Sequence, residues 1–157
     1  MSILQKVLSL FKNKDIALAL SGQWIGHYGY GSKYSPTVQN RTVSFVADII
    51  AQDNAFEGNI KEDTTGIPEV ARIEGSIALR KIQFTKTYQN SYSIDEHGTR
   101  MVAKGPAYIQ YSGIYDESEK KFKGMWTIET IYTLDSGRNM NHISSGSWEM
   151  KRLLSNN

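Results

Sequence analysis

Five short segments of this chain carry glycine in the middle of an alternating apolar pattern. They are "FEGNI" (56–60), "IEGSI" (73–77), "YSGIY" (111–115), "FKGMW" (122–126) and, with serine in first place, "SSGSW" (144–148). Alternation at period two marks a strand with one buried face, because successive side chains point to opposite sides. In each segment the glycine shares its face with the large apolar residues. Glycine weakens a strand there unless it permits a sharp bend or leaves space opposite a bulky neighbour. Both needs arise when strands curl around a closed barrel. The pattern predicts such a barrel. The alternative is a sandwich or open roll, in which the glycines only relieve crowding.

From Gly22 onward the period stays at two. Strands are read near 22–31, 42–52, 55–62, 69–79, 81–90, 107–116, 121–133 and 142–152. "QDNA" holds Asp53 and Asn54, which tolerate the left-handed backbone of a tight turn. "EDTTGIP", "DESEK" and "DSGRNMN" read as polar turns. Residues 91–106 read as one long connector, either functional or hiding a short strand. Ahead of the strands, Ile3, Leu4, Val7, Leu8 and Phe11 form one helical stripe, and "IALAL" a second short turn. The expected fold is therefore all-β: an antiparallel up-and-down closed barrel of about eight strands with a short N-terminal helix. Its expected division is a helix and lead-in over 1–21, a barrel over 22–152 and a tail over 153–157.

A chain of 157 residues fits one domain with one core. The net charge is +2, and basic and acidic residues are interspersed, which argues against nucleic acid as a partner. The chain has no cysteine, which excludes disulfides, thiolate metal sites and a cysteine nucleophile. Residues 1–14 make a poor signal peptide, because charge interrupts a short apolar run. No stretch approaches the ~20 apolar residues of a membrane span, so stable membrane insertion is not expected and the cytoplasm is the expected compartment. The helical stripe must be buried on a barrel end, against a second protomer in a homodimer, or on a membrane surface beside Lys6, Lys12 and Lys14. The barrel end is preferred, since consecutive elements are usually adjacent.

"SGQWIG" places Gly22-x-Trp24 after a short helix and at the start of the first strand, and "WEMKR" ends the last strand on Arg152. This resembles the calycins: lipocalins, fatty-acid-binding proteins and avidin-like barrels. The resemblance implies that Trp24 plugs one barrel end, with Arg152 across its indole face and Gly22 beside it. The cysteines of secreted lipocalins are missing, so no ligand type carries over. "GQWIGHYGYGSKYSPT" is also similar to the opening of nitrobindin-type barrels, which bind haem through a late histidine. That resemblance implies His142 as the candidate ligand, only if haem is bound.

His27, His97 and His142 have no metal-ligand spacing, so neither a metal nor a cofactor is expected. No serine is marked as a nucleophile, and no catalytic residue is assigned. The aromatic residues are more informative. Tyr28, Phe84, Tyr111, Tyr115, Trp126 and Trp148 fall on the apolar face, and an apolar pocket with a few polar handles is the usual form of a small-molecule site. The same rings could instead fill a narrow barrel. Lys86 alternates with Ile82 and Phe84, which points it inward. It then meets an anionic ligand or a carboxylate such as Glu74, Glu129 or Glu149, or else it lies near the mouth and reaches water. The expected function is binding of a small apolar or weakly anionic ligand. The alternatives are a protein-interaction module with a filled core, a haem-binding barrel, and an isomerase or cyclase using a tyrosine or Lys86.

Overall fold

The structure is a computed structural model that describes residues 2–6 and 20–154. Eight antiparallel strands dominate it: β1 (Gly22–Gly29), β2 (Thr42–Gln52), β3 (Ala55–Glu62), β4 (Ala71–Ala78), β5 (Lys81–Ile94), β6 (Arg100–Asp116), β7 (Lys121–Thr133) and β8 (Asn139–Arg152). They pair in sequence order, and β8 pairs back to β1, so the sheet closes on itself. Closure is sealed by five facing pairs, from Trp24 opposite Arg152 to Tyr28 opposite Trp148. A one-turn helix, α1 (Pro36–Gln39), lies between β1 and β2 and buries Val38. No helix among the described residues is long and apolar enough to cross a membrane.

The interior follows from the alternation. Phe56, Ile60, Ile73, Ile77, Ile82, Phe84, Tyr111, Phe122, Trp126 and Trp148 are all buried. Phe84 stacks on Tyr111 with centroids 4.7 Å apart, and Trp148 meets both rings edge-on. The middle of the ring is therefore filled. The inward glycines let neighbouring backbones approach closely. A Cβ on Gly58, Gly75 or Gly124 would strike the carbonyl oxygen of Asp48, Gln83 or Ser112 on the next strand. What the glycines clear is chiefly backbone, where the pattern alone indicated room for side chains.

At one end, Trp24 packs against Phe122 with centroids 5.5 Å apart. Its indole N–H donates to the carbonyl of Leu20, which is wholly buried. The Arg152 guanidinium lies 5.0 Å from the Trp24 ring and donates to Ser21 O at 2.9 Å. Gly22 adopts φ +123°, and a Cβ there would stand 2.9 Å from Arg152 Nη1. A side chain at position 22 would thus meet both strain and the guanidinium. Arg152→Ala is expected to lower stability by about 1–2 kcal/mol through loss of the cation–π contact and the charged hydrogen bond. An unmoved denaturation midpoint would show that the contact contributes nothing.

Three stretches depart from the expected boundaries or lie partly outside the described residues. Residues 91–106 hide strand, the second of the two options expected for them: β5 runs on to Ile94, β6 begins at Arg100, and the two pair across Asn90–Lys104 to Ile94–Arg100 after a bulge between Tyr88 and Asn90. The first strand ends at Gly29, and Tyr30 and Tyr34 turn back onto Trp126. Of the N-terminal stripe, only one helical turn at 3–6 is described, with Ser2 and Gln5 exchanging side-chain-to-backbone bonds at its start. Ile3 and Leu4 on that turn are exposed, and Val7, Leu8 and Phe11 lie outside the described residues.

Candidate functional site

The end of the ring opposite Trp24 holds a buried polar cluster. Alternation along β3 carries the inward face from Phe56 through Gly58 and Ile60 to Glu62. Along β5 it runs from Ile82 and Phe84 to Lys86 and Tyr88. Lys86 Nζ stands 3.1 Å from Glu62 Oε2, with the lysine side chain 1% and the glutamate side chain 0% exposed. Tyr28 OH and the amide of Ile67 (3.2 Å) donate to the other carboxylate oxygen, and Tyr88 OH donates to Oε2. The ammonium also faces the rings of Tyr28, Tyr88 and Tyr111 at 4.8, 5.0 and 5.7 Å.

These contacts set the charge states. Burial pushes the Glu62 carboxyl up. The Lys86 ammonium and the hydrogen bonds from Tyr28, Tyr88 and Ile67 outweigh it and hold the group below its ordinary range. Burial pulls Lys86 down against the pull of Glu62. Burial and the nearby carboxylate push Tyr28, Tyr88 and Tyr111 upward, so all three stay protonated. Four donors on one carboxylate and three rings around one ammonium make a satisfied ion pair. The Tyr28 and Tyr88 hydroxyls are hydrogen-bond donors here, not bases.

Above the ion pair lies a cavity of about 90 Å³. Tyr28, Lys86, Tyr88 and Tyr111 form part of its lining, together with Trp126, Tyr30 and Tyr34 from the far wall. The β5–β6 hairpin supplies Tyr92, Ser93, Ile94 and Arg100, and its tip crosses to the neighbouring loops. Arg100 donates to Gly66 O at 2.6 Å and Thr65 O at 3.0 Å, Arg41 donates to Gly98 O at 2.8 Å, and Ser35 Oγ donates to Glu96 O at 2.7 Å. The hairpin is thereby strapped across the mouth.

Of the residues expected at a ligand site, Tyr28, Lys86, Tyr111 and Trp126 meet at this cavity. Phe84 and Trp148 are packed in the filled middle, and Tyr115 packs on Phe122, on the side of the Trp24 plug. Lys86 does not reach water, and its carboxylate partner is none of the three expected. Glu74 pairs with Arg72 on the outer surface, Glu149 with Lys121, and Glu129 is exposed. The true partner, Glu62, is the last residue of the expected strand 55–62 and also the first of the expected turn "EDTTGIP", and its inward direction was not drawn. One further step of the Phe56–Gly58–Ile60 alternation would have found it.

His142 is exposed on β8 and does not line the cavity. Among the described residues, no group of three His, Cys, Asp or Glu side chains is placed to hold a metal ion. A recess of about 600 Å³ over β8, β1, β2 and the end of β3 mixes Lys61, Lys121, Lys151 and His27 with Glu62, Asp63 and Glu149, so it offers no uniform chemistry. No family model matches the chain, and neither a curated protein nor a solved structure does.

Proposed function

We propose that this protein is a calycin-like barrel that binds a small, mostly apolar ligand in the tyrosine-lined cavity beneath the β5–β6 hairpin. The carrying observation is that the rings fill the middle of the ring but leave space above Lys86, beneath a strap fastened by side-chain-to-backbone bonds. An apolar wall with a few fixed donors is what orients a small molecule. The Trp24–Arg152 contact at the closing pair supports the calycin comparison. A second reading, a protein-interaction module, draws on the exposed Ile131, Leu134, Met140 and Ile143 of the β7–β8 hairpin.

Titration of the full chain with 4-phenylbutan-1-ol, followed by amide and indole NMR shifts, separates the two. Saturable shifts confined to the cavity lining, including the Trp126 indole, are expected. They should be abolished by Ile109→Trp, which fills the cavity from β6. Shifts that never saturate, or that map to the β7–β8 hairpin, would reject an interior ligand.

A further inference from the structure

We infer that the rim of the mouth, between Arg41 and Arg100, is an anion-binding subsite, and that the ligand is amphipathic, with an apolar body inside and one carboxylate at the rim. This rests on the interior-ligand reading and extends it.

A second recess, of about 370 Å³, adjoins the cavity and shares Tyr30, Ile94 and Arg100 with it. Arg41, Thr42 and Thr65 complete its polar lining, which includes no carboxylate. Both guanidiniums are held by backbone carbonyls: Arg41 by Gly98, and Arg100 by Thr65 and Gly66. A carbonyl fixes the plane of a guanidinium without cancelling its charge, and the remaining N–H groups stay free for a planar, two-oxygen acceptor. The acids on the adjoining turns are engaged elsewhere: Glu96 pairs with His97, and Glu69 accepts from Gln89 N, Asn90 and Tyr92. Asp63 accepts from Ser44 N, Thr65 N and Thr65 Oγ1, and Asp95 accepts from His97 N and Thr99 N. The floor of the cavity is different. Lys86 is already neutralised by Glu62, and a second anion placed there would face that carboxylate. Positive charge without an acidic partner is thus found at the rim and not at the floor. Arg41 is exposed and Arg100 half-buried, so the attraction is open to screening by salt.

The test compares 4-phenylbutyrate with 4-phenylbutan-1-ol, which share one apolar body, by calorimetry on the full chain. The acid should bind about tenfold more tightly at low ionic strength, and most of that advantage should vanish at about 0.5 M salt. Arg41→Gln combined with Arg100→Gln should remove the advantage, read as the ratio of the two affinities, because any loosening of the strap weakens both compounds alike. Arg41→Lys with Arg100→Lys should keep part of the advantage. If the alcohol binds and the acid binds no better, or if the acid's advantage survives both glutamines, the rim inference is wrong and the interior reading stands. If neither compound binds, the interior reading fails and the rim inference fails with it. Binding of the acid alone, lost in the glutamine variant, would leave an anion site at the rim but overturn the amphipathic ligand, since no apolar body would be held inside.

Discussion

Glu62→Ala should destabilise the protein by about 3–5 kcal/mol, the usual cost of removing one partner from a buried ion pair. The loss comes less from the missing attraction than from what stays behind. Lys86 would remain enclosed with no counter-charge and nothing to hold its proton against burial, and Tyr28 and Tyr88 would lose their acceptor. Replacing both partners, Glu62→Leu with Lys86→Met, should recover most of the loss, because an apolar pair of similar volume carries no desolvation penalty. Urea unfolding of the three proteins at equal slope decides the matter. A Glu62→Ala midpoint within error of the parent would mean that the pair is not a stabilising unit. The acid limb gives a second readout. Because folded Glu62 titrates below its ordinary value, the unfolded chain takes up the proton first as pH falls. The pair's contribution is therefore complete above the ordinary carboxylate range and is lost as pH drops through the folded value. Glu62→Gln should lack that limb.

Gly124→Val should cost about 3 kcal/mol or more, at the upper end of overpacking effects. Gly124 faces Gly113 across the β6–β7 pairing, and a Cβ on it would collide with Ser112 O and stand 2.5 Å from Gly113 Cα. Those atoms are backbone, so no rotamer change relieves the contact. Met125→Val, one residue along and half exposed on the outer face, is the control and should shift stability by no more than about 0.5 kcal/mol. Thermal unfolding of both variants checks the contrast. A Gly124→Val protein that melts with its control would mean that β6 and β7 can separate at this point without penalty.

The ring was legible wherever one face of a strand stays buried, since burial imposes alternation on the sequence. Lys86 could be placed inward from Ile82 and Phe84 alone, and Trp24 could be matched to Arg152 because closing a meander must pair its first strand with its last. Legibility failed where that burial pattern changes. Beyond Tyr88, β5 loses β4 as a neighbour, and before Gln110, β6 has no β7 beside it. The hairpin they form has little core to face, so "SYS" and "RMVAKG" read as loop. The β4–β5 turn falls at the break between the expected strands 69–79 and 81–90, but its own residues do not announce it. Leu79 and Arg80 both take positive φ, at 50° and 71°, without the glycine or asparagine that normally announces such a turn. The rim was out of reach altogether, because Arg41 and Arg100 are far apart in the chain and meet only through the hairpin's fold across the mouth.

The carboxylate of Glu62 joins β3 to β1 through Tyr28 and to β5 through Lys86 and Tyr88, strands that are not neighbours in the sheet. These bonds cannot form while the sheet is still an open, curling ribbon. They appear only when its opposite walls face each other. Interactions absent from the folding transition state act on the rate of escape from the native state and not on the rate of reaching it. The cluster thus works as a catch on a closed ring, governing how long each molecule stays shut between openings.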